Sequence, residues 1–504
     1  MRPLSGFVVL QFFEFMNPIR ITYDARHSLG ASPRWLGFAA VALLLSGCAL
    51  SLPPKMVAAP VSLQWQAPLP HQGQISSLRG WWQAQGDPLL LDLLDAAQDA
   101  SASVAQAGAR LQSARASQAA ARSALLPRVD GSLATSRGQT QPSMPIATST
   151  ALGAQASWEI DLVGANRVVK DAADAQVQAG QAQWHDARVA VAAEVANTYF
   201  GLRACRRQAD IAARDAASRQ ETARLTDLLL RAGVARSGDL ALAQASAADS
   251  RRRMTQQNAD CDLSVKALVA LTALDEPLLR QRLGTSPLPA PELPGFAVAQ
   301  VPAHTISQRP DVFAAERDVL VASAAVGSAQ AQRWPRLTLS GSIGALRYSS
   351  AGADTDMSTW SFGPLALSLP LFDAGLRAAN VDAAQASYAQ SVVAYRAKVR
   401  AAVREVEDAL VALQSAQARR ADATLAFKGY AQAFDSSSQR YQQGMASLVE
   451  LEEARRYALA AESALDALQL ERQRAWVSLY RAAGGGWEPD GAQAASAASP
   501  SVAP

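Results

Sequence analysis

The 504-residue sequence predicts a mainly α-helical, internally duplicated chain with a small β part. Three observations carry this. Aromatic content is 6 % and alanine dominates, a composition that favours long helices over compact mixed folds. A few short segments switch to two-residue alternation, the period of strands with one apolar and one polar face. The order helix, strand, strand, long helix, break, helix occurs twice, which marks an internal repeat.

The first repeat opens with 81-WWQAQGDPLL-90, where Asp87 can cap a helix and Pro88 suits its first position. That helix is expected to run to about Leu126 and stop at Pro127. Strand-like 128-RVDGSLATS-136 sets Val129, Gly131 and Leu133 on one side. After a Pro/Ser/Thr turn region, 151-ALGAQASWEIDL-162 alternates strictly, with Leu152, Ala154, Ala156, Trp158, Ile160 and Leu162 on its apolar side. Helix resumes near Gly164 and runs to Arg231, roughly 100 Å at ~1.5 Å per residue. The stretch 228-LLLRAGVARSGDL-240 breaks it, and a shorter helix follows from about Asp239 to Leu274.

Six prolines between 277 and 302 make 275–305 a linker rather than a long helix. The same order then recurs. A helix from about Ser307 ends at Trp334-Pro335, and 336-RLTLSGSIGAL-346 and 360-WSFGPLALSLPLF-372 read as strands, the latter with Leu365, Leu367, Leu369 and Leu371 on one face. A long helix from near Gly375 to Tyr441 breaks at 439-QRYQQGMASLVEL-451, and a last helix reaches 483-AGGGW-487. Gly233 and Gly444 are 211 positions apart, each followed six positions on by an acid, Asp239 and Glu450. The domains are therefore 1–47 leader, 48–80 tether, 81–274 first repeat, 275–305 linker, 306–487 second repeat and 488–504 low-complexity tail.

Bulk properties exclude several classes. With 47 basic and 44 acidic residues the net charge is +3, no electrostatic basis for nucleic-acid binding. The four histidines are scattered without metal-ligand spacing, and neither a phosphate loop nor a nucleophile elbow occurs. The expectation is no enzyme, no metal and no cofactor. No run of 18 apolar residues exists, so no transmembrane helix is expected in the mature chain. The segment 34-RWLGFAAVALLLSGC-48 has the charged and apolar regions of a secretory signal. Its Leu45-Ser46-Gly47-Cys48 ending resembles a bacterial lipobox, which implies a lipidated Cys48 as the mature N-terminus; Met16 is the expected true start.

Each repeat offers two amphipathic strands of about ten residues, the length of a tilted barrel strand. Four strands cannot close a barrel, so they are either soluble hairpins or shares of one barrel built by several chains. Trp158 and Trp360 suit either an interfacial girdle or ordinary packing. Cys205 and Cys261 lie symmetrically about Gly233, so a hairpin there puts them at similar heights, either as a disulfide or as two buried thiols.

The motifs carry a family resemblance. Cys48, Trp81-Trp82, Asp87-Pro88, Arg309-Pro310-Asp311-Val312, Trp334-Pro335-Arg336-Leu337, Pro370-Leu371-Phe372-Asp373-Ala374-Gly375 and Leu479-Tyr480-Arg481 before Gly484-Gly485-Gly486-Trp487 follow one another in order. The chain resembles the TolC-like outer-membrane factors of tripartite efflux systems, in the NodT- and OprM-like lipoprotein branch, from about residue 45 to 487. That resemblance implies long coiled-coil hairpins forming an α-barrel, and four strands per chain in a shared twelve-stranded β-barrel of a homotrimer in outer-membrane lipid. It also implies partners: a periplasmic adaptor (membrane fusion protein) and an inner-membrane pump of the resistance-nodulation-division or a related class.

On the same resemblance Gly233-Val234-Ala235 and Gly444-Met445-Ala446 are adaptor-contacting tips. Asp239, Glu450, Glu453 and Tyr441 line the aperture, either as gating groups or, for Asp239 and Glu450, as helix N-terminal acids favoured by the dipole. Ala446 stands where some members have Arg, leaving Arg236 and Arg440 as candidates to hold the aperture shut. The competing functional class is a periplasmic adaptor or structural coiled-coil lipoprotein; adaptors carry one hairpin, and this chain has two.

Overall fold

The computed structural model describes residues 51–61, 65–66, 80–84, 86–139, 145–285 and 302–487. The leader, with Cys48, and the tail from 488 lie outside the described residues. Within them, α1 (Trp81–Ala84), α2 (Pro88–Ala100) and α3 (Ala102–Ser123) precede strands β1 (Arg128–Gly138) and β2 (Ala147–Ile160). Long helix α4 (Ala165–Arg231) and α5 (Ser237–Thr272) form the first hairpin, and α6 (Glu276–Thr285) follows. The second repeat contributes α7 (Pro302–Ser307), α8 (Pro310–Ala331), β3 (Arg336–Ser350), β4 (Ala353–Ser368), α9 (Leu376–Gln442) and α10 (Leu448–Ala482).

The duplication is metrical. Both α4 and α9 are 67 residues long, and each starts after a glycine with positive φ, Gly164 at 80° and Gly375 at 89°. The expected single helix from 88 to 126 is instead two. Ser101 adopts extended φ/ψ of −70° and 118°, closing α2, and its Oγ accepts the Val104 N–H at 3.3 Å to start α3. Serine has that dual capacity because its hydroxyl competes for nearby backbone donors. The linker also differs from expectation, opening with α6, where Leu279 and Leu283, four apart, are both buried.

One principal hydrophobic core lies where α2 and α6 add a layer over the two hairpins. Leu90, Leu93, Tyr199, Leu202, Leu268, Leu410 and Leu479 are its fully buried centre, with Trp81, Trp82 and Tyr480 stacked at one side. Asp87 caps α2 through the Leu90 N–H (3.3 Å) and accepts from Tyr199 Oη (2.7 Å) and Arg203 Nη1 (2.8 Å). Because buried polar groups are costly without partners, this cap also pins α4 to the first repeat's entry.

Candidate channel wall and periplasmic tips

The four strands form one antiparallel sheet in the order β1-β2-β3-β4, so β2 against β3 joins the repeats. Register decides which side chains share a face, because directly opposed residues point the same way. Val129 and Leu133 oppose Ala156 and Leu152; Ala154 opposes Ile343; Trp158 and Ile160 oppose Leu339 and Leu337; Ile343 and Leu337 oppose Trp360 and Leu367. One face is thus apolar across all four strands, and open: Trp360 is 80 % and Phe362 82 % exposed. The other face is small and polar, with Asp130, Ser132, Gln155, Ser157, Thr338, Ser342, Thr359 and Ser361, and its hydroxyls bridge strands as in Ser342 to Ser361 at 2.8 Å.

An irregularity in β4 preserves this sorting. Leu339 opposes Leu365 but Gly341 opposes Phe362, so Gly363-Pro364 inserts one extra residue and keeps both Phe362 and Leu365 on the apolar side. The apolar band runs about 27 Å along β3 from Leu337 to Ala345, at ~3.4 Å per residue. Beyond it, on the same face, Arg347 pairs with Asp356 at 3.0 Å. The strands of 11 to 16 residues therefore outreach the band, longer than the ten expected. Trp158 donates Nε1–H to the Leu125 carbonyl (3.2 Å) at the sheet's helical end, whereas Trp360 stands beside Ile343 within the band. Strand 360–372 is corrected: β4 stops at Ser368, paired with Arg336 where β3 begins, and Pro370 has no N–H to extend the ladder. Leu371 and Phe372 lie beyond it, 87 % and 90 % exposed.

At the opposite end both hairpins reverse in the same way. Gly233 (φ 74°) and Gly444 (φ 76°) take the left-handed conformation that closes a helix and that a Cβ disfavours. The N–H groups of Val234 and Met445 return to the Leu229 and Arg440 carbonyls (2.9 and 2.8 Å), and that of Gly444 to the carbonyl of Tyr441 (3.0 Å). Val234 and Met445 project into solvent, 73 % and 60 % exposed, beside Ala235 and Ala446.

The acids separate by role. Asp239 accepts the Arg236 N–H at 3.1 Å, a capping contact at the start of α5. Glu450 pairs with Arg440 Nη1 at 2.6 Å, and Arg440 also donates to the Met445 carbonyl, while the Glu450 N–H goes to Ser447 Oγ at 3.1 Å. Glu453 lies 3.7 Å from Arg456 and accepts from Tyr457 Oη at 3.4 Å. Within one chain Asp239 and Glu450 belong to different tips and do not pair with each other. Higher in the first hairpin, Cys205 and Cys261 are joined, with Cα atoms 5.5 Å apart.

Sequence reading missed the seam between the hairpins. Arg207 pairs with Asp466, which also accepts from Gln208 Nε2 (3.0 Å); Arg214 pairs with Glu462 (2.5 Å) and Arg219 with Glu452 (3.1 Å). Its one trace in the text is arginines recurring on α4 at 207, 214 and 219, matched antiparallel by acids on α10. At the root of the second hairpin, burial opposes ionisation of Asp311, but hydrogen bonds and charge from Arg309 and then Lys398 prevail and hold its carboxyl at about 2.

Among the described residues the sheet is amphipathic, with β1 and β4 at its edges and one open apolar face, and it is carried on helices of roughly 100 Å. Residues 93–274 and 301–485 match the family described as "Outer membrane efflux protein", and the chain belongs to it. Outer membrane protein OprJ of Pseudomonas aeruginosa is 30 % identical over 462 residues, spanning 89 % of this chain and 95 % of that protein. The pyoverdine export outer membrane protein OpmQ of Pseudomonas putida is 30 % identical over 91 % of this chain and 98 % of its own. Among solved structures, the Campylobacter jejuni CmeC outer membrane channel shares the fold, with a TM-score of 0.77 at 24 % identity, over 88 % of this chain and 96 % of that one. The chain is an outer-membrane efflux channel.

Proposed function

We propose that three copies join β4 to β1 edge to edge in a twelve-stranded barrel, and that their hairpins continue it as a passive exit duct. The observation that carries this reading is the sheet itself: sorted by face across all four strands, with β1 and β4 at its edges unpaired among the described residues. Closure satisfies the edges, since lipid offers no hydrogen bonds to unpaired strands. The apolar face meets lipid and the serine- and threonine-rich face lines the bore. Cys48 carries the lipid anchor in the outer membrane.

The tips dock a periplasmic adaptor that links the duct to an inner-membrane pump. Exposed Val234 and Met445 support this, as does a cavity of about 310 Å³ between the hairpins, lined by Arg219, Leu242, Val449 and Glu452. Threefold repetition brings Asp239, Glu450, Glu453 and Tyr441 to one aperture. The test is the protein extracted from outer membranes in detergent: light scattering should give the mass of three chains, and reconstitution should give single-channel currents. A one-chain mass would end the reading. Asp239→Ala with Glu450→Ala should raise conductance or shorten closed times; unchanged currents would remove the acids from the gate.

A further inference from the structure

The described residues ahead of α1 are seated on the helices. The end of the Leu52 side chain occupies the space that a Cβ on Gly327 would need, with Val168 beside the same spot. Ser323 Oγ donates to the Pro53 carbonyl at 2.7 Å and Tyr388 Oη to the Pro54 carbonyl at 2.9 Å. Lys55 lies 3.8 Å from Asp171. Further on, Trp65 is buried in the core and the Gln66 N–H donates to Glu407 at 2.6 Å. Two consecutive prolines suit such a seat, because they hold extended backbone and present only carbonyls to be satisfied.

The duplication shows that this groove is specialised. Aligned on Leu126-Pro127 and Trp334-Pro335, the first-repeat counterparts of Gly327 and Ser323 are Ala119 and Arg115. Aligned on the tip glycines, the counterpart of Tyr388 is Val177. At these three positions the notch and the two hydroxyl donors belong to the second repeat, where the segment lies. Its contacts reach both repeats, with Asp171 on α4 and Gly327, Ser323, Tyr388 and Glu407 on α8 and α9. Numbering falls toward the sheet: Gln66 meets the middle of α9, Pro54 its first third, and Leu52 a point four residues, ~6 Å, before the end of α8.

We propose that residues 51–61 and 65–66 belong to a strap clamping the two repeats together, with Gly327 as its positioning residue, and that its seat sets where the chain departs toward Cys48. Leu52 is only four positions, at most ~14 Å of extended chain, from that cysteine. The purpose of the strap rests on the lipid-anchor reading of Cys48; its seating does not.

Limited trypsin digestion of the full-length, detergent-solubilised protein, read by mass spectrometry at Lys55, tests it, with palmitate labelling in the same cells. Leu52→Gly removes the knob without touching the bundle, and Gly327→Leu fills the notch. Each should speed cleavage after Lys55 at least about ten-fold, because cleavage follows the open population. Cleavage within α4 and α9 should stay unchanged. The double variant Leu52→Ala with Gly327→Ala restores a smaller fit and should return cleavage to within roughly three-fold of the native rate. Equal cleavage at Lys55 in the native protein and Leu52→Gly would overturn the strap, as would acceleration in Gly327→Leu spread over all helices with none in Leu52→Gly. Absence of palmitate with a protected Lys55 would overturn the anchor and leave the strap.

Discussion

The two hairpins have long arms of the same length and the same glycine reversal, but differ in what holds them together. The first is joined covalently through Cys205 and Cys261, 28 residues from the tip on either side, and its tip is held by a backbone cap at Asp239. The second has no such bond, and its tip combines a Ser447 cap with one exposed ion pair, Arg440 with Glu450. Buried residues of α9 stop at Ala416, leaving its last 26 positions with none, whereas α4 keeps Thr222 and Thr226 buried near its end. The geometry is shared, and the cross-links and the burial within one chain differ. Between them runs a seam of ion pairs, which adds direction and specificity more than net stability.

Perturbations should split along that contrast. Replacing both Cys205 and Cys261 by Ser should cost the first hairpin about 4 kcal/mol, from a 56-residue separation, in the loop-entropy account. Hydrogen exchange should then quicken in α4 and α5 and hold steady in lower α9; equal quickening in both would dissolve the comparison. Asp466→Ala leaves Arg207 poorly partnered at the seam and should cost about 3 kcal/mol, read as a lowered urea midpoint.

A pH titration reaches the second hairpin's root. The Asp311 carboxyl is depressed to about 2 from 3.8, so its contribution is complete above pH 3.8 and disappears as pH falls toward 2. That contribution is about 2 kcal/mol, and Asp311→Asn should flatten the acid limb of stability against pH. The tips give the smallest effects. Asp239→Ala should cost about 1 kcal/mol as a lost cap, and Glu450→Ala about 0.5 kcal/mol as a lost surface pair. Exchange at residues 233–240 against 444–451 separates the two.

Much of this was legible in the text. Asp87 and Pro88 announced a helix start, the glycines at 233 and 444 announced reversals, and alternation around Trp158 announced an amphipathic strand. Local chemistry decides each of these, so neighbours in sequence suffice. Misread were the places where a distant partner decides. The run from Leu369 to Phe372 alternates like a strand, but β3 begins at Arg336 and offers nothing for it to pair with. The Arg–acid seam and the strap were invisible because their partners stand hundreds of positions apart, as Arg207 and Asp466 or Gln66 and Glu407 do.

By itself, then, the sequence determined the duplication, the element types and the reversals, because periodicity, caps and glycine conformations act over a few residues. Only the tertiary structure decided which face of the sheet is apolar across all four strands, which acids cap and which pair, and where the amino-terminal segment lies. Those depend on register and on packing between distant segments, where a shift of one residue turns every side chain to the other face.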